Sequence, residues 1–198
     1  MEFGKKGDEA VYKLCKSEQS ARRQRELELG LLEAMQTQQY EEISISELCD
    51  RMGIPRKSFY RYFSNKDGAL MALLDHTLME YEQTGEGVSR TGAMHIGDLE
   101  QYFRFWYERR ALLEALMRSR LSGMLVERAT QHAIHERMMP RYLLSENPQT
   151  QHMALTFAIC GLLSMVMQWQ QGGYRETPEQ MAQIANMMLT KPLVSGRN

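Results

Sequence analysis

The side chains with chemical reach are concentrated in one stretch. Residues 51–66 hold five cations, Arg51, Arg56, Lys57, Arg61 and Lys66, and no acidic residue. Aromatic residues are threaded among them: Phe59, Tyr60, Tyr62 and Phe63. The 198-residue chain carries a net charge of −1, so the rest of it sums to −6. A basic face on a mildly acidic body suits a molecule that touches a polyanion with one end only. A solvated helix face would give the same count, so charge alone does not decide.

Other chemistry finds less support. His132 and His135, with Glu136 beside them, have a spacing that could put two imidazoles on one helix face, yet no third ligand is placed, and no metal or cofactor is assigned. Asp75-His76 has no nucleophile pattern nearby. There is no phosphate loop and no dinucleotide glycine motif, so the chain is not expected to be an enzyme. Cys15, Cys49 and Cys160 lie far apart without metal or redox spacing and read as buried or incidental thiols.

Hydrophobic residues make up 43% and charged residues 25%, the composition of an ordinary globular protein. The N-terminus lacks the apolar core of a signal peptide. No apolar run approaches the ~18 residues of a membrane span, and the longest candidate, residues 154–169, is interrupted by Thr156, Ser164 and Gln168. A cytoplasmic protein without a membrane partner is expected.

The elements that must position the basic stretch are helical, because the periodicity is helical almost throughout and helix formers abound. A first helix is expected from about Ser17 to Gln38, with Leu27, Leu31 and Ala34 on its apolar stripe. Ser44 and Glu47 have capping-box form and open a short helix whose inner side holds Ile45, Leu48 and Met52. Gly53 supplies a left-handed stop. Pro55 suits the first turn of the next helix, which buries Phe59 and Phe63 at spacing four. Ser64-Asn65 can cap a helix over about 66–83. The glycine-rich stretch 84–97 reads as a loop. Helices are then expected over about 98–117, 120–144, 148–171 and 178–190. The last two open at Asn147-Pro148 and at the capping box of Thr177 and Gln180.

Short helices around a tight glycine turn are the helix-turn-helix arrangement. Cys49 stands where the paired helices need a small residue; a redox thiol is the alternative. The segment ISELCDRMGIPRKSFYRYFSNKDGAL, residues 45–70, resembles the DNA-binding signature of the TetR family of regulators. Most specific is Phe59-Tyr60-Arg61-Tyr62-Phe63 followed by Lys66 and Leu70. The likeness spans roughly residues 20–75. It departs at Pro55, where a small polar cap is usual, and at Cys49, where alanine is usual. The resemblance implies an all-α protein: an N-terminal extension at 1–16, a helix-turn-helix domain at 17–66, and a ligand-binding and dimerisation domain at 67–198. It implies that Ser44, Tyr60 and Lys66 meet the DNA backbone. Arg56, Lys57, Ser58 and Arg61 are the candidates for base edges, with phosphate contact or solvation as the alternative for each.

The part from Asp67 onward holds 12 basic and 14 acidic residues and has no reason to bind DNA. Ala154, Ala158, Gly161, Leu162, Met165 and Trp169, followed by Ile184, Met187 and Met188, put small and large apolar groups on the last two helices. TetR-like proteins pair through such helices, and two recognition helices related by symmetry read a palindrome. Tyr102, Phe103, Trp106, Met117, Leu121, Met124 and Met138 are candidates to line a small-molecule pocket, with plain core as the alternative. The leading reading is a dimeric, ligand-responsive repressor with operator DNA and a second copy as its partners. The competing readings are a regulator controlled by a protein partner, an activator, and an enzyme built on the histidine pair.

Overall fold

The computed structural model describes residues 5–6, 9–84, 96–135 and 147–190. It is all-α, as expected. Strand structure among the described residues is confined to a two-residue antiparallel pair, β1 (Lys5–Lys6) with β2 (Glu9–Ala10), and one bridge between Tyr12 and Phe63. The chain forms two compact units. Unit 1 comprises residues 1–79 with 114–128; unit 2 comprises 80–113 with 129–198.

Unit 1 begins its helices with α1 (Glu18–Thr37), capped by Ser17, whose hydroxyl accepts from the Ser20 amide at 3.3 Å. Its inner side buries Leu27, Leu31, Ala34 and Met35, and each full burial of a large apolar side chain stabilises by about 1.5–3 kcal/mol. A Cβ on Gly30 would lie 2.5 Å from Met52 Sδ, so glycine makes room there for the half-buried Met52 side chain. Residues 40–42 form a 3-10 turn that the sequence pattern did not disclose. Then comes α2 (Ile45–Arg51), with the expected capping box. The Glu47 amide donates to Ser44 Oγ at 3.1 Å, and the Ser44 amide donates to Glu47 Oε2 at 3.2 Å. Gly53 takes φ +63°, and the Ile54 amide reaches back to the Cys49 carbonyl at 3.0 Å. This is the left-handed ending for which glycine carries no Cβ penalty.

Pro55 is the N-cap of α3 (Arg56–Tyr60), one position earlier than the sequence suggested. It gives no side-chain cap; its carbonyl accepts from the Ser58 amide at 2.8 Å. The regular helix is short, but its last turn continues, since the Tyr62 and Phe63 amides both reach the Phe59 carbonyl. Phe59 and Phe63 are fully buried with ring centroids 5.1 Å apart. Asn65 caps α4 (Lys66–Gln83) by accepting from the Gly68 amide at 2.8 Å.

The single helix expected over 98–117 is two helices, α5 (Ile96–Glu108) and α6 (Arg110–Arg118). No glycine or proline marks the break. The Arg109 amide bonds to the Trp106 carbonyl at 3.1 Å, three residues back rather than four, which tightens the turn. After α6, Arg120 takes φ +57° and the Leu121 amide bonds to the Leu116 carbonyl at 2.7 Å. A non-glycine residue pays roughly 1–2 kcal/mol for that conformation. The next helix, α7, runs Ser122–His135; the remainder of the expected 120–144 segment lies outside the described residues.

Unit 2 packs α9 (Pro178–Thr190) along α5, and Arg104 of α5 pairs with Glu100 at 2.8 Å and with Glu179 of α9 at 2.6 Å. The long helix α8 (Pro148–Gln171) turns Leu155, Leu163, Val166 and Trp169 into the core. It spans 24 residues, and an 18-residue window within it reaches a mean hydropathy of 1.4, long and apolar enough to cross a membrane by length and composition alone. The polar residues expected to interrupt it do not lower its hydropathy below that level. Trp169 packs edge-to-face against Phe103 and Tyr174, at 5.9 and 5.0 Å, and tilted against Tyr107 at 5.7 Å, and its indole donates to the Glu176 carbonyl at 3.0 Å.

Candidate nucleic-acid interface

Helix α3 divides its side chains cleanly. Phe59 points into the core, while Arg56, Lys57, Tyr60 and Arg61 are exposed and Ser58 is half-buried. Tyr60 is 55% exposed, far more than a phenol retained for packing. Its neighbour Tyr62 is buried. Among the described residues, Arg56, Lys57 and Arg61 have no carboxylate in ion-pair range. Unpaired guanidinium and ammonium groups beside one another repel, and a polyanion relieves that cost. The burial of Phe59 and Phe63 is what holds these cations in register.

Ser44 lies at the start of α2, exposed, with its hydroxyl engaged by Glu47 Oε2 at 2.9 Å. Glu47 is held below the usual carboxylate range, first by the Ser44 hydroxyl and then by the Ser44 amide. Cys49 is fully buried, and burial pushes its thiol up. A protonated, inaccessible thiol does not suit a redox sensor.

Lys66, expected at the DNA backbone, is half-buried and engaged with main chain. Its ammonium donates to the carbonyls of Tyr40, Ile43 at 2.7 Å and Glu41 at 3.4 Å, and it lies 4.3 Å from the centre of the Tyr40 ring. Burial lowers its pKa. All three donors thus face main chain, gathering carbonyls of the 3-10 turn that leads into α2. Arg118 does the same for the end of α1, donating to the carbonyls of Met35, at 3.1 Å, and Gln36. Tyr40 ties the two clamps together: its amide donates to Ser119 Oγ at 3.0 Å and its hydroxyl to Asp67 at 2.6 Å. None of these partners is adjacent in sequence, and no local pattern could have disclosed them.

Unit 1 also holds two buried carboxylates, Asp75 and Glu28. Asp75 accepts from Tyr12 Oη at 2.6 Å and from Arg128 Nε at 2.7 Å, with a second bond from Arg128 Nη2. Glu28 accepts from Arg25 at 3.0 Å and faces His76 Nδ1 at 2.9 Å. A buried carboxylate persists only where such partners compensate its desolvation.

The candidate pocket residues fall into two groups. Tyr102, Phe103 and Trp106 share one aromatic cluster in unit 2, with Tyr102 5.4 Å from Phe103 and 6.4 Å from Trp106. Met117, Leu121 and Met124 belong to unit 1, and Met138 lies outside the described residues. Of the residues expected at a pairing surface, Ala158 and Trp169 are buried within the chain, whereas Gly161, Met187 and Met188 are exposed and Ala154, Leu162, Met165 and Ile184 half-buried. The most exposed large apolar side chains of α8, Met153 at 61% and Phe157 at 68%, were not among the expected set. They sit one helical turn apart in line with Gly161, a spacing that could have found them. His132 is buried, its Nε2 3.1 Å from Glu82.

Comparison with known proteins agrees with this architecture. Residues 31–73 match the family model of bacterial regulatory proteins, tetR family. Residues 97–191 match the model of a transcriptional regulator C-terminal region. No curated protein matches the chain. Among solved structures, the chain is similar to a tetR-family transcriptional regulator from Streptomyces coelicolor, with 20% identity and a TM-score of 0.53 over 83% of this chain and 78% of that one. It is also similar to the dihydroxyacetone kinase operon activator DhaS, with 16% identity and a TM-score of 0.55 over 84% of this chain and 94% of that one. At these identities the structural likenesses carry the fold, and the two sequence models carry the family. With its glycine-turned helix pair, its outward cations and both matched regions, this chain belongs to the TetR family of DNA-binding transcriptional regulators, which are not enzymes.

Proposed function

We propose that this regulator binds a palindromic operator as a homodimer in the cytoplasm and acts as a repressor that a small molecule releases. The observation that carries the DNA-reading part is the face of α3: four exposed side chains, Arg56, Lys57, Tyr60 and Arg61, on a turn pinned by buried Phe59 and Phe63. Arginine offers a bidentate fork to guanine, worth about 1–3 kcal/mol of discrimination. Ser58 is the further base-edge candidate; Ser44 and Tyr60 are assigned to phosphate. Lys66 acts on this reading as the clamp that fixes the approach to α2.

Pairing is supported by the apolar groups that α8 and α9 leave uncovered: Met153, Phe157, Met187, Met188 and Leu189. A second copy is the occupant that suits them, since one short recognition helix covers few base pairs and a two-fold pair covers a palindrome. The aromatic cluster around Tyr102, Phe103 and Trp106 supports an apolar effector. Activation is the second reading. DhaS bears the description of an operon activator, and the sign of regulation depends on operator position rather than on fold. Control by a protein partner in place of a small molecule would leave the DNA-binding end unchanged.

The test is selection of duplexes from a random pool by the purified protein. Recovery of a palindrome supports the reading. Recovery of no motif, at low salt with folded protein, overturns it. A screen for small molecules that raise the melting temperature then separates ligand control from partner control.

A further inference from the structure

We infer that residues 11–16 are a working strap of the DNA-gripping surface. Tyr12 anchors the strap, which presents Lys13 and Lys16, together with Arg22 and Arg61, to phosphates of the duplex flanking the bases that α3 faces. The inference rests on the operator-binding reading above and extends it to a segment that the sequence left unassigned.

The strap is fastened by main chain and side chain alike. The Lys13 amide donates to the Tyr62 carbonyl at 2.8 Å, and the Ser64 amide donates to the Val11 carbonyl at 3.1 Å. These two bonds frame the antiparallel bridge between Tyr12 and Phe63, so the strap pairs with the backbone leaving α3. Tyr12 is buried to 3% exposure, and its hydroxyl ends on Asp75. At the other end, Cys15 Sγ donates to the Oε1 of buried Gln24 at 2.8 Å. Gly68 supplies an independent sign that this path is built in. A Cβ there would lie 2.2 Å from the Val11 carbonyl oxygen. The obstacle is backbone, which cannot swing aside, so the start of α4 has room for the strap only because residue 68 is glycine.

With its inner groups fixed, the strap turns Lys13 and Lys16 to solvent. Beside it, a groove of about 470 Å³ is lined by Arg22, Arg23, Glu26, Arg61 and Tyr62 among others. Arg23 is paired with Glu26 at 2.6 Å, so those two charges cancel. Arg22 and Arg61 have no ion pair among the described residues. Glu18, exposed in the first turn of α1, offsets one of these charges. The balance stays positive, and Arg61 makes the groove continuous with the outward face of α3. A run of like charge joined to a DNA-reading helix fits a linear polyanion that crosses both, and so the phosphates of the same duplex.

The test measures binding of the full-length protein to its selected duplex as a function of salt. Each lost phosphate contact should reduce the slope of log K against log salt by about 0.9. Lys13→Ala, Lys16→Ala and Arg22→Ala, alone and combined, alter exposed side chains and should leave melting unchanged. The expected result is a stepwise shallower slope with the same selected motif. A combined variant that is folded and keeps the wild-type slope overturns the inference, as does a loss of affinity that is equal at every salt concentration. Tyr12→Phe tests the anchor separately: hydrogen exchange at the Lys13 and Ser64 amides should quicken, and unchanged exchange overturns the anchoring role. If the wild-type protein itself selects no duplex, the operator-binding reading fails first, a result distinct from failure of the strap alone.

Discussion

The ammonium of Lys66 donates to the carbonyl of Ile43 at 2.7 Å, across 23 positions of sequence. Together with its bonds to the carbonyls of Tyr40 and Glu41, this ties the start of α4 to the turn that enters α2. A lysine expected to face DNA therefore holds the frame of the DNA-binding end. Lys66→Ala should lower stability by on the order of 1–3 kcal/mol, the worth of hydrogen bonds from a charged donor. The salt slope of DNA binding should be unchanged. Denaturant melts and binding isotherms on one preparation check both; a slope shallower by about 0.9 would return Lys66 to the phosphate backbone.

Tyr60 and Phe59 are neighbours with opposite tasks. Phe59→Ala removes a fully buried ring and should cost about 3–5 kcal/mol of stability. Tyr60→Ala alters an exposed one and should change stability by no more than about 0.5 kcal/mol, while weakening binding to all duplexes alike. Chemical denaturation beside anisotropy titrations distinguishes the two effects. A large stability loss in the Tyr60 variant would contradict the division of α3 into two faces.

Arg128 and Asp75 form a pair with side-chain exposures of 11% and 1%. Arg128→Ala would leave Asp75 with only the Tyr12 hydroxyl among the bonds described above, and stranding a buried charge typically costs about 3–5 kcal/mol. Arg128→Ala combined with Asp75→Asn should recover part of the loss, because no uncompensated charge remains. Urea unfolding of the two variants gives the answer; no recovery in the double variant would place the cost in packing rather than charge.

The α2 capping box should make part of the stability acid-sensitive. Glu47 is depressed below the usual carboxylate range by the Ser44 hydroxyl. A depressed carboxylate contributes stability that is present above its unfolded pKa and lost as pH falls through the lower folded value. Wild type should therefore exceed Glu47→Gln in stability at neutral pH, and the gap should narrow as the pH drops through and below the carboxylate range. Denaturant midpoints measured across that range test this, and a gap that widens in acid would contradict it.

Phe157, at 68% exposure on α8, is the sharpest test of pairing. Phe157→Glu should give monomers in sedimentation and weaken palindrome binding, without loss of helix content. Persistent dimers would move the pairing surface elsewhere.

Local patterns carried the helix-turn-helix. The Ser44–Glu47 box, the glycine at 53 and the phenylalanines at spacing four each act within a few residues, so their effect could be read directly from sequence. The openings at Asn147 and at Thr177 were legible for the same reason, and so was the resemblance at residues 45–70. The family thus followed from the chain itself. Tertiary structure decided what depends on partners far along the chain. Lys66 turned toward main chain because the carbonyls of Tyr40, Glu41 and Ile43 lie within its reach. The α5–α6 break at Arg109 comes from a hydrogen bond to the residue three back, with no glycine or proline to announce it. Trp169 went to the core because Phe103, Tyr107 and Tyr174 surround it, leaving Met153 and Phe157 outside. The segment 11–16 looked featureless, since its anchors at Tyr62, Ser64, Gly68 and Asp75 are brought beside it only when α3 and α4 pack. Caps and periodicity act over a turn of helix, whereas clamps, buried carboxylates and exposed faces exist only once distant segments share a surface.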